Sequence, residues 1–138
     1  VLVNADIRFD LDAETDIIIK SQDQNLFSMT MIRGTMGIFS IARKRVELEL
    51  SQTIVGIDSF KSVLNEDINF IDNPDETLQL ANSINVSSSY DASVNTIQAF
   101  RGDFKVLIRE TQEVIDLKQG HEMKIKKNAK FEIRLIKQ

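Results

Sequence analysis

Between Ile97 and Ile125 the chain reads IQAFRGDFKVLIRETQEVIDLKQGHEMKI. Phe104, Val106 and Ile108 fall at every second position, with charged or polar residues mostly between them. A period of two is the pattern of a strand with one face buried and one wet. Gly102 and Gly120 each close one short apolar run and open another. The same rhythm occurs earlier, where Phe27, Met29 and Met31 lead into Gly34 and Gly37. A chain patterned this way is expected to fold as many short strands separated by glycine turns.

The rest of the chain extends this reading. Residues 5–11 alternate, with Ile7, Phe9 and Leu11 on one face. Ile17 to Ile19 is a β-branched run that suits a strand covered on both sides. Residues 27–32 and 36–41 read as two strands divided at Arg33-Gly34, and 46–50 as another. Thr53 to Ile57 contains Gly56, which predicts a bend or a close backbone approach. Strands follow at 103–109, 112–117, 121–126 and 130–136. Residues 58–66 have helical spacing and a capping Asp58 or Ser59, the place for at most one short helix. Pro74, between Asn73 and Asp75, marks a turn. The Ser- and Asn-rich residues 83–95 fit a strand, a loop, or both in sequence. Phe9, Phe27, Phe39, Phe104 and Phe131 are assigned to the core faces of strands.

With 138 residues and 42% hydrophobic content, one domain, 1–138, can bury a core without staples. No cysteine is present, so disulfides and thiolate chemistry are ruled out. No run reaches the roughly 18–20 apolar residues of a membrane span. A start at Val1 reads as a trimmed or processed chain, open to a signal or anchor removed upstream. Six acidic and no basic residues lie in 62–100, against ten basic and six acidic in 101–138. Such asymmetry could orient a partner or stack one molecule on another, or simply mark solvated faces. The acidic balance and a basic KIKKNAK stretch (124–130) without aromatic platforms argue against nucleic acid.

Catalytic signatures are absent. His121 is the sole histidine and follows Gly120 in a turn, and no serine sits in a Gly-x-Ser-x-Gly elbow. There is no phosphate loop or dinucleotide fingerprint. Asp10, Asp12, Glu14 and Asp16 offer four carboxylates at alternate positions. As a helical calcium loop they fail, because Thr15 stands where glycine is needed and Ser21 where glutamate is needed. That leaves an irregular calcium site or a solvated acidic turn. Asp72, Asp75 and Glu76 form a second acidic cluster. With no Trp and one Tyr, a sugar-binding platform is unsupported. No cofactor is expected. Segment 83–96 combines Ile84, Val86 and Val94 with Ser, Asn and the sole tyrosine, Tyr90. A strand edge carrying an amphipathic ring suits a partner strand. Pro74, Ile84, Val86, Tyr90 and Val94 are therefore the candidate partner-binding residues.

The glycine placement resembles the FecR family of extracytoplasmic domains. LFSMTMIRGTMGIF (26–39) is similar to that family's early strand pair running into glycine. Thr53, Gly56 and Phe60 in TIVGIDSF resemble its next segment. Gly102, DFKVLI and the LKQG run from Leu117 to Gly120 resemble its closing strand pairs. The likeness covers most of residues 5–126. Two features depart from it: Asp58-Ser59 replaces a Gly-Thr pair, and 66–96 would be a long insertion or loop. The resemblance implies a β-solenoid-like, twisted β-helical fold, and a periplasmic or cell-surface place in a bacterium. It also implies signalling or binding rather than catalysis. In the family's best-known members the domain receives a signal from an outer-membrane transporter and regulates a sigma factor. With no second signalling domain here, sigma regulation does not carry over by itself.

The expectation is thus an all-β chain, a solenoid-like or double-sheet body, acting as a non-enzymatic extracytoplasmic binding or signalling module with a protein partner. The alternative is a structural, self-assembling β-solenoid or surface scaffold.

Overall fold

The computed structural model describes residues 1–22, 25–58 and 68–136, with 21 and 22 described by their backbone alone. Among the described residues, twelve strands and one helix run in the order β1 (Leu2–Val3), β2 (Ile7–Leu11), β3 (Asp16–Gln22), β4 (Leu26–Ser40), β5 (Arg45–Glu49), β6 (Thr53–Ile57), α1 (Pro74–Leu80), β7 (Asn82–Ser88), β8 (Val94–Arg101), β9 (Phe104–Ile108), β10 (Val114–Leu117), β11 (His121–Lys126) and β12 (Phe131–Leu135). The helix is too short to cross a membrane.

β4 sets the architecture. Its first part pairs with β5 in parallel, Leu26 beside Arg45, although only four residues separate β4 from β5. A straight strand of that length would span roughly 46 Å at about 3.3 Å per residue. The short connection can bridge at most roughly 18 Å. β4 must therefore turn back on itself, and the turn falls at Gly34, whose φ is +109°. On either side the core-facing positions change phase: Phe27, Met29 and Met31 point inward before it, Met36, Ile38 and Ser40 after it. The two lengths read from sequence as separate strands are one strand with a corner.

The corner lets β4 belong to two halves of one sheet. Its first half lies between β3 and β5, and the sheet continues through β6, β9 and β10. Its second half lies between β2 and β7, continuing through β8, β11 and β12. The halves curl toward each other over a common core that includes Phe9, Met29, Ile38, Leu48, Val55, Val86, Ile97, Val106 and Met123. Phe9 and Phe27 stack across it at 5.7 Å. Of the eleven pairings among the described residues, β4 with β5 alone is parallel. The body is a curled, mainly antiparallel sheet with opposed halves, whereas a solenoid would stack parallel rungs.

Other differences have local causes. Among the described residues β3 is an edge strand paired only with β4, so Ile18 and Ile19 are exposed rather than covered. The helix expected over 58–66 lies, apart from Asp58, outside the described residues, as does Phe60. Pro74 opens α1 instead of making a simple turn, since the first helical turn needs no N–H from it. The long loop expected over 66–96 contains α1 and the central strand β7, paired on both sides. Phe131 lies on the last strand and is exposed rather than core. Phe39 is half-buried in a small satellite cluster with Ile41, Phe70 and Ala81. At Gly56 no backbone makes the close approach expected there: a Cβ would run into the Arg45 guanidinium, a side chain.

Gly34 cannot be replaced cheaply. Its φ disfavours L side chains, and an added Cβ would lie 2.5 Å from Thr15 Cα. Gly34→Ala is expected to lower stability by roughly 2–4 kcal/mol, combining backbone strain with overpacking. In a thermal melt that is a fall of roughly 10 °C. A melting temperature equal to that of the parent would mean that the corner is not at Gly34.

Candidate partner-binding groove

The loop before β3 packs into the corner of β4. The Thr35 N–H donates to Thr15 Oγ1 (3.2 Å), while the Thr35 carbonyl accepts from that hydroxyl (3.1 Å) and from the Asp12 N–H (3.0 Å). The backbone groups freed by the bend are thereby paired. This packing leaves a partly open groove of about 400 Å³ lined by Ala13, Glu14, Asp16, Arg33, Gly34, Thr35, Ser88 and Tyr90.

Three of these side chains form a unit. Arg33 Nε donates to Asp16 Oδ2 at 2.6 Å. The Arg33 guanidinium carbon lies 5.0 Å from the centre of the Tyr90 ring, a cation–π distance. Asp16, first through that hydrogen bond and then through its charge, raises the Arg33 pKa. Tyr90 is 83% exposed, the most exposed large apolar side chain of the described residues. Both Arg33 and Asp16 are partly open to solvent, so their ion pair orients the guanidinium more than it stabilises the fold.

Tyr90 sits in the β7–β8 turn, which the Ser-rich sequence builds. Ser89 Oγ accepts from the N–H groups of Ser93 (3.1 Å) and Val94 (3.0 Å). Asp91 Oδ1 accepts from the hydroxyls of Ser93 (2.6 Å) and Ser89 (2.8 Å) and from the Ser93 N–H (3.1 Å). Short polar side chains bonding their own backbone are the standard chemistry of tight turns. Just beyond, buried Asn95 anchors the turn to the β5–β6 connection. Its Oδ1 accepts from the Gln52 N–H (2.7 Å) and the Thr53 hydroxyl (3.3 Å), and its Nδ2 donates to Ser51 (2.9 Å) and Ser88 (3.2 Å). All four hydrogen-bonding positions of the amide are used.

The residues proposed from sequence separate clearly. Tyr90 lines the groove. Ile84 and Val86 are core residues of β7 and cannot touch a partner, because their strand is central and that face is covered. Val94 is half-buried and borders a separate depression with Ser93, Lys126 and Lys127. Pro74 is exposed on α1 and does not line the groove. Of the four alternating carboxylates, Glu14 and Asp16 line the groove, whereas Asp10 is paired with Arg8 at 2.8 Å. Among the described residues no three His, Asp or Glu side chains converge as metal ligands would. Sequence reading did not single out Arg33. Its one signal is an arginine placed directly before a glycine at the end of an apolar run.

Hydrogen bonds from Ser93 and then Ser89 lower the Asp91 pKa from 3.8 to about 2. A depressed folded-state pKa means that the turn is fully supported above the ordinary carboxylate range. The support is lost as pH falls from about 4 through about 2. A carboxyl carbon titration by NMR should place Asp91 near 2. A midpoint near 3.8 would show that the turn does not hold the carboxylate as described.

No family model matches the chain, and no curated protein matches it. Two crystal structures of a proposed anti-sigma factor from Parabacteroides distasonis, at 1.65 Å and 2.50 Å resolution, share its fold. Each aligns with a TM-score of 0.67 and 14% identity over 94% of this chain and 51% of the other. The chain therefore spans about half the length of those proteins, and at this identity the likeness is one of fold.

Proposed function

We propose that this chain is a non-enzymatic, protein-binding regulatory module of the FecR kind, working outside the cytoplasmic membrane of a bacterium. The groove between the β4 corner and the β7–β8 turn is its partner site. The observation that carries this reading is Tyr90, almost wholly exposed yet held in place over Arg33. Tyrosine and arginine dominate the energetics of protein interfaces, and a ring already positioned loses little entropy on binding. The hydroxyl of Thr35 and the carboxylates of Glu14 and Asp16 border it with groups that can fix the register of a bound segment. The fold shared with a proposed anti-sigma factor and the glycine pattern of FecR domains support a regulatory role. The extracytoplasmic placement rests on the FecR resemblance alone.

The test is a photo-reactive phenylalanine at position 90, introduced in the native cell. A dominant adduct with one envelope protein is expected. Tyr90→Ala and Arg33→Ala should each weaken that protein's binding by roughly ten- to a hundredfold. Their melting temperatures should stay near the parent's, since both side chains are largely outside the core. Labelling no richer than from the exposed control position Thr111 would end this reading.

A further inference from the structure

The outermost strand of one sheet half, β12, pairs with β11 on one side and has no strand on the other among the described residues. Its register with β11 runs unbroken over Phe131–Leu135. The Ile136 N–H donates to the Gly120 carbonyl, and the Lys130 carbonyl accepts from the Lys126 N–H. Backbone groups alternate direction along a strand. The N–H and C=O of Phe131, Ile133 and Leu135 therefore point to the open edge. These three side chains also share the face that carries buried Met123 and Ile125 on β11, yet they are 37%, 42% and 70% exposed. An even, apolar free edge of this kind invites another strand.

A polar ladder reaches the same edge on the opposite face. Asn85 Nδ2 donates to Gln98 Oε1 (3.2 Å), Gln98 Nε2 to Glu122 Oε1 (2.8 Å), and Arg134 Nε to Glu122 Oε2 (2.6 Å). The row crosses four strands and ends on a half-exposed guanidinium, which has further donors to offer. The next position outward calls for an acceptor.

The strand supplies that acceptor itself. FEIRL is self-complementary when paired antiparallel about Ile133: Ile133 meets Ile133, Phe131 meets Leu135, and Glu132 meets Arg134. The outward-facing residues 131, 133 and 135 are then the ones that exchange backbone hydrogen bonds. Arg134 would lie between Glu122 of its own chain and Glu132 of the other. We propose that a second copy of this chain adds to β12, giving a two-fold dimer with one sheet running through both molecules. A closed two-fold contact uses the same patch on each molecule, as this register does. β3 offers a comparable sequence, Asp16 to Lys20, but two register irregularities break its edge, a common guard against pairing. The contact is a single strand pair, below the usual size of a permanent interface, so the dimer should be weak and depend on concentration.

Sedimentation of the whole chain from micromolar to millimolar concentration should show a monomer–dimer equilibrium. Ile133→Lys places two like charges at the two-fold axis and should leave a folded monomer. Ile133→Pro removes an outward N–H that β11 does not use and should do the same. Glu132→Lys and Arg134→Glu should each fail to self-associate, yet form a heterodimer when mixed, since the mixture restores both ion pairs. Parent protein that stays monomeric throughout overturns the proposal. So does a dimer that survives Ile133→Lys but is lost on Ile18→Lys, which would place the contact on β3.

Discussion

The corner in β4 is the constraint from which the rest of the structure follows. β5 can lie parallel to the start of β4, four residues after its end, only because β4 folds back at Gly34. Once the strand has turned, its two lengths bring two sheet halves face to face, and their inward residues meet as a single core. A bend in a strand frees backbone groups, and here the loop before β3 satisfies those of Thr35 through Thr15 and Asp12. The packing that closes the corner also forms the groove wall and brings Asp16 to Arg33. Fold and candidate site thus share one cause.

The serines and asparagines of the middle segment serve this arrangement more than they serve binding. Burying a polar group is costly unless it is fully bonded, and Asn95 meets that condition. It links the ends of β7 and β8 to the β5–β6 connection, so the turn that carries Tyr90 is fixed from both sides. Glu122 is the counterpart near the other edge. Arg134 lowers its pKa against the opposing effect of burial, and Gln98 assists. The carboxylate therefore remains charged where the sheet meets its last strand.

Alternation made most strands legible in the sequence, because a period of two survives wherever one face is covered. Phe104, Val106 and Ile108 were readable as core, and they are buried. Edges were not legible. Ile18, Ile19 and Phe131 have the composition of covered positions, and nothing local says that a strand has no neighbour. Central placement was hidden for the opposite reason: Ile84 and Val86 sit among polar residues that suggest a surface, whereas Asn85 and Ser87 occupy the outward positions of an inner strand. The groove was half visible. Tyr90 stood out as the sole tyrosine, but its meeting with Arg33 depends on a corner that the sequence shows only as an arginine beside a glycine.

Native-state hydrogen exchange along β4 tests the single-strand, two-half account most directly. If the corner joins both halves around one core, the ladder amides of 27–31 and 36–40 should exchange only through global unfolding. Their opening free energies should then be equal and fall together in denaturant. A first half that opens at distinctly lower free energy, while the second stays protected, would contradict it: the halves would then be separate units joined by a linker at Gly34.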